Sequence, residues 1–180
     1  MARIRKSVSV DDVMAWRPCG GYDRERVEAL FGRRKRVRPL GILHLEEIPV
    51  TDRLWCLLRE DFLSPAALRQ FACDCASRAL HRERKAGREP DERSRAAIRV
   101  ARRFARGKAT QEELAAARSA AWSAARSAAW SAGGSAAWSA ARAAAWDASW
   151  SAAGSAARSA ERVWQLRRLE KYLVAAGHTQ

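Results

Sequence analysis

Apolar residues recur at intervals of three and four along most of the chain, and no period-two alternation runs long enough to build a strand. Ser9 can cap a helix from Ser9 to Trp16 whose first turn holds Asp11 and Asp12 and whose inward residues are Val13 and Trp16; Pro18 and Gly20-Gly21 end it. A second helix from Asp23 to Phe31 places Val27, Leu30 and Phe31 on one face, with Gly32 at its end. Leu40 to Leu45 is apolar but too short for periodicity to separate strand from helix. Thr51-Asp52 offers a cap for a helix whose face runs Leu54, Leu57, Leu58 and Phe62, with Trp55 beside it. Ser64-Pro65 opens the next helix, because proline's fixed φ and missing N–H suit the first helical position. Leu68, Phe71, Ala72, Cys75 and Ala79 then recur at helical spacing while Ala76 and Leu80 flank Cys73, so this helix is expected to be buried on two faces. A polar loop is predicted from Arg82 to Arg88, and a helix from Asp91 to Arg106 turns Ala97, Val100, Ala101 and Phe104 inward and its arginines outward before Gly107. Thr110-Gln111-Glu112-Glu113 is a capping box. The last segment, Glu161 to Ala175, carries Val163, Trp164, Leu166, Leu169, Tyr172 and Leu173 ahead of Gly177.

Between the capping box and that last segment the pattern changes to a tetrapeptide, Ser-Ala-Ala-x, from Ser119 to Arg162, whose fourth position is mostly tryptophan, arginine or glycine. From Ala115 to Ala160, 23 of 46 residues are alanine and the large apolar side chains are all tryptophan. Alanine's high helix propensity predicts helix throughout, and the tryptophans are expected to supply most of the burial, at roughly 150–250 Å² each. Four residues turn a helix by about 400°, so the x lane drifts about 40° per repeat. A straight helix would therefore divide Trp122, Trp130, Trp138 and Trp146 between core and surface. An unbroken helix from Gln111 to Ala175 would be roughly 100 Å long, against a radius of gyration near 16 Å for a compact domain of this size. A break is expected, with Gly133-Gly134 the preferred place and Gly154 the second.

The predicted fold is all-α: an irregular multi-helix bundle with a long Ala/Trp/Arg-rich C-terminal region. Residues 1–109 would form an N-terminal helical part and 110–180 an alanine-rich part packing on it as one structural domain. The formal net charge is +14, and its basic excess is spread along the whole chain, which favours anionic partners, either an acidic protein or nucleic acid. The start of the chain lacks the apolar core of a signal peptide and no long apolar run spans a membrane, so the chain is expected to be cytoplasmic, without a membrane partner. Cys19, Cys56, Cys73 and Cys75 are expected to be reduced.

Candidate chemistry thins quickly. Cys73-Asp74-Cys75 with His81 invites a zinc reading, but helical positions two apart point about 200° from one another, and no second cysteine pair follows. A nucleophilic cysteine with His44 or His81 as base would need a spatial pairing that spacing does not supply. No phosphate loop, zincin motif or nucleophile elbow is present. The expectation is a non-enzymatic protein without cofactor or metal. Two surfaces remain for binding. One is the densest charge run, Arg33, Arg34, Lys35, Arg36 and Arg38, readable as a phosphate patch or as a solvated basic face. The other is the lane of Trp122, Trp130, Trp138 and Trp146 with Arg126 and Arg142. A guanidinium four residues from an indole can stack on it there, and the lane is readable as a recognition surface or as core.

The segments WRPCGGY, DRLWCLLRE, FACDCASRALHRERKAGREPDERS, ATQEELAAAR and ERVWQLRRLEKYL, with the Ala/Trp/Arg run, resemble the immunity proteins similar to immunity protein 5, found in bacterial toxin–immunity loci and in phages. The resemblance covers roughly residues 10–175, and its most specific part is FACDCASRAL with the block that follows. It implies an all-helical protein that neutralises a toxin by direct binding, and it carries over no individual site residue. Inhibitors of nucleic-acid-cleaving toxins are expected to be acidic. At +14, this chain implies an acidic toxin, or else a basic nucleic-acid-binding protein of phage or bacterial origin.

Overall fold

The computed structural model describes residues 4–132 and 155–179, and the side chains of 4–123 and 160–179. The chain is all-α. The described helices are α1 (Val10–Ala15), α2 (Arg24–Phe31), α3 (Pro39–Leu43), α4 (Val50–Leu57), α5 (Pro65–Lys85), α6 (Glu92–Ala105), α7 (Gln111–Ala132) and α8 (Ser155–Ala175). The ambiguous run at Leu40 thus resolves as helix. The extended pairing among the described residues is a single antiparallel bridge, in which Val8 and Val37 exchange both backbone hydrogen bonds at 2.9 Å. The break expected at Gly133-Gly134 and the candidate at Gly154 lie outside the described residues.

The helices fall into two compact units, one of residues 1–64 with 166–180 and the other of 65–165. Residues 109 and 110 both lie in the second unit, where α6 and α7 pack on each other.

In the first unit, α1 begins as its sequence predicts. The Ser9 amide donates to Asp12 at 2.8 Å and the Asp12 amide donates to the Ser9 hydroxyl at 3.2 Å, closing a reciprocal capping box. The Ser9 amide bond, joined by the Ser9 hydroxyl and by Arg5, holds the Asp12 carboxyl below its usual range. α4 departs from expectation at both ends. Pro49 occupies its N-cap and gives no side-chain bond, whereas Asp52 accepts the Tyr22 hydroxyl at 2.7 Å. Burial, assisted by Asp52, pushes the Tyr22 phenol up to about 12. The helix stops at Leu57, so Phe62 is buried from a turn rather than from the helix face. α8 ends at Gly177, where φ is +79°. Its amide bonds to the Val174 carbonyl at 2.9 Å, and the next amide, of His178, returns to Leu173 at 3.0 Å. That is a Schellman close, and a side chain at Gly177 would oppose its left-handed backbone. Lys6 adds a donor to the Gly177 carbonyl at 3.0 Å. Leu169 and Leu173 are fully buried on this segment, while Val163, expected inside and belonging to the second unit, is exposed.

In the second unit, α5 runs through Arg82-Glu83-Arg84-Lys85, where a loop was predicted. Its polarity marks a solvated last turn, closed by the same Schellman geometry at Gly87. Both faces of α5 are buried, through Phe71, Cys73, Cys75 and Ala76, as its two apolar lanes predict. Cys73, Ala76 and Ile98 form its central cluster, with Leu80 and Ala101 packed against it. Arg102 of α6 reaches back to Asp74 at 3.1 Å and Ser77 at 2.9 Å on α5. On the α8 residues within this unit, Glu161 takes Arg78 at 2.8 Å and Arg82 at 3.2 Å, and Arg78 lies 4.5 Å from the centre of the Trp164 ring. Thr110 and Glu113 form the predicted capping box, and Arg103 joins Glu113 across the turn at 3.2 Å. Along α7 the buried positions are Leu114 and Ala121, seven apart, while Trp122 is 40 % exposed. The burial expected of the tryptophan is therefore not supplied at Trp122. The lane beside it, about 100° away around the helix, carries the packing.

Candidate functional site

The chain leaves α4 through one tight turn, and that turn builds a cluster the sequence did not announce. Leu58 sits at φ −82° and ψ 62°, and the Arg59 amide donates to the Leu57 carbonyl at 2.9 Å. This is an inverse γ-turn. It carries Arg59 back toward the residue four before it: the guanidinium carbon lies 4.3 Å from the centre of the Trp55 ring and 4.4 Å from that of Trp16. The Arg59 carbonyl then accepts the amides of Phe62 and Leu63, each at 3.1 Å, which turns Phe62 into the core. Phe62 meets Trp16 edge-on at 5.8 Å and His178 edge-on at 6.2 Å. His178 is fixed in turn by a 2.8 Å hydrogen bond between its Nε2 and the Phe62 carbonyl. The outer limit of the cluster is Trp55, 42 % exposed. Desolvation lowers the pKa of Arg59 from its ordinary value, and its Nε is buried without a hydrogen-bond partner.

Sequence reading placed Trp55 beside the α4 face and turned Trp16 inward, but it singled out neither Arg59 nor His178. The local signal is an aromatic residue and an arginine four apart, the spacing that also marks the repeat. The same spacing is realised as stacking at Tyr22 with Arg26 (4.6 Å) and at Arg168 with Tyr172 (5.5 Å).

The predicted binding residues fare unevenly. Within the charge run, Arg34 bonds the Phe31 and Leu30 carbonyls, both at 3.0 Å, at the end of α2. Arg36 holds the Ser7 hydroxyl and carbonyl, both at 2.8 Å, and Asp12 at 3.2 Å. Arg38 reaches the Thr179 hydroxyl at 3.4 Å. Arg33 and Lys35 point to solvent. The run is thus largely a set of ties within its own unit. Trp122 is exposed, whereas the side chains of Arg126, Trp130, Trp138, Arg142 and Trp146 lie outside the described residues.

All four cysteines carry free thiols. Burial pushes the Cys56 thiol up to about 11 and moves Cys73 upward as well, opposite to the shift that activates a nucleophile. At pH 8 a chromogenic disulfide reagent is expected to label Cys19, the exposed thiol, in a single fast phase that Cys19→Ser abolishes. Cys56 should stay unreactive until pH approaches its raised value or denaturant is added. Labelling of Cys56 at pH 8 as fast as Cys19 would contradict its burial. Among the described residues no group of three or more histidine, cysteine, aspartate or glutamate side chains is arranged to hold a metal ion, and no helix is long and apolar enough to cross a membrane.

Compared with protein-family models, curated proteins and solved structures, the chain matches none.

Proposed function

We propose that the chain is a non-enzymatic binding protein that neutralises a protein toxin by occupying its surface, as the resemblance to the immunity protein 5-like family implies. The observation that carries this reading is the exposed Trp55 stacked on Arg59, whose guanidinium also lies against Trp16. Tryptophan and arginine are the residues that most often anchor protein interfaces, because each brings a large, rigid contact area together with a polar handle. The upward-shifted thiols favour binding over covalent chemistry. The charge of +14 favours an acidic partner. A second reading, nucleic-acid binding by a basic protein, draws on the same charge and on the exposed Arg33 and Lys35.

Capture of partners from the native host, with and without nuclease and read by mass spectrometry, separates the two. An acidic protein retained after nuclease, captured several-fold less by Trp55→Ala, and harmless to cells only when this chain is co-expressed is the expected result. Partners that all vanish with nuclease, or a partner indifferent to Trp55→Ala, would refute the surface.

A further inference from the structure

Resting on the surface just described, we propose that Arg59 is its anchor and that the group it receives is a glutamate or aspartate carboxylate of an acidic protein partner. A guanidinium that lies against indole rings uses its faces for that contact, which leaves its five N–H donors in the plane of the group. Among the described residues no acceptor is bonded to any of them, and Nε is buried without a partner. Other arginines of the same unit differ: Arg5, Arg24 and Arg36 each end on a carboxylate. Neighbouring acceptors are not bonded to Arg59: the exposed Glu60 side chain makes no bond to it, and two others are engaged elsewhere. The Asp61 carboxylate pairs with Arg5 at 2.9 Å, and the Phe62 carbonyl holds His178. Arg59 is therefore a partly desolvated cation, positioned by two rings, that the Asp61 carboxylate influences through space without bonding it. A bidentate carboxylate fits its planar fork, and the apolar stem of a glutamate fits the exposed ring of Trp55.

A further charge adjoins Trp16 in the chain. Arg17, directly after Trp16, is exposed and, among the described residues, is the non-glycine residue held at positive φ, 54°, and it precedes Pro18. Left-handed backbone at such a residue is costly and concentrates at functional positions. A nucleic acid would instead require a row of open cations along its backbone, and Arg34, Arg36 and Arg38 of the basic run are tied to acceptors within the chain.

The test uses the whole chain and a short blocked polyglutamate peptide as probe, at low salt, with binding read from the indole N–H signals by NMR. The peptide is expected to move the Trp16 and Trp55 signals, identified by their loss in Trp16→Phe and Trp55→Phe. Arg59→Lys, which keeps the charge but loses the planar fork, should weaken binding by about tenfold, while Arg106→Gln, an exposed control, should leave it unchanged. Arg59→Lys binding as tightly as the wild type would overturn the proposal. So would a single-stranded oligonucleotide of equal charge that binds more tightly and moves the same two signals. Should Arg59→Lys not fold, Trp55→Ala at its exposed position decides: lost peptide binding supports the proposal and unchanged binding refutes it. The outcomes stay separable from those of the surface itself. A host partner lost with Trp55→Ala yet retained by Arg59→Lys leaves the surface standing and removes the role of Arg59.

Discussion

Replacing Phe62 by alanine is expected to destabilise the unit containing it by about 3–5 kcal/mol, the usual cost of deleting a buried aromatic ring. Phe62 is 0 % exposed and is the largest side chain so completely enclosed. Its ring supports Trp16 on one side and His178 on the other, and its carbonyl fixes the imidazole. Collapse around the cavity would shift the ring on which Arg59 rests, so the loss should exceed the area removed from water. Urea unfolding followed by tryptophan fluorescence measures it, and Phe62→Leu, which retains most of the volume, should recover more than half of the loss. A loss below about 1 kcal/mol would mean that the ring is not the keystone of this core. Because Trp55 and Arg59 lie just upstream on the same turn, the truncation is also expected to weaken any ligand held there, through geometry rather than contact.

How much of this arrangement was legible in the residues depends on the range of the forces involved. The helices were readable because their signals are local. Ser9, Ser64-Pro65, Asp91, Thr110 with Glu113, and the glycines at 107 and 177 each act within a few residues of a helix end, and each is found at its expected place. Errors arose where a local pattern had two physical meanings. The charged stretch from Arg82 to Lys85 is as suitable for a solvated last turn as for a loop. The face running Leu57, Leu58 and Phe62 continues in register past the inverse γ-turn that stops α4. The cluster around Arg59 was invisible for a different reason. Trp16, Trp55 and His178 are distant in the chain, and only the tertiary fold brings them together. The one local trace, the four-residue step from Trp55 to Arg59, was overshadowed by the repeat, where the same step recurs conspicuously.

The repeat is also where the second large effect is expected. A helix written in alanine gains little burial per residue, so its attachment should rest on the few large apolar side chains it does bury. In the described part of α7 that side chain is Leu114, 2 % exposed, one turn beyond the capping threonine, with Ala121 continuing its lane. Leu114→Ala is therefore expected to cost about 2–5 kcal/mol. Trp122→Ala, at a position 40 % exposed, should cost less than Leu114→Ala despite removing the larger side chain, since a substantial part of what it deletes already faces water. The comparison discriminates between two pictures of the helix. If the tryptophan lane were the seam, as composition suggested, Trp122→Ala would be the more damaging change. If the lane of Leu114 and Ala121 is the seam, Leu114→Ala is the more damaging, and small residues at the seam let α7 approach α6 closely. Thermal unfolding followed by circular dichroism, on both variants under identical conditions, gives the order. A Trp122→Ala loss equal to or larger than that of Leu114→Ala would reinstate the tryptophan seam and withdraw Trp122 from the surface available to a partner.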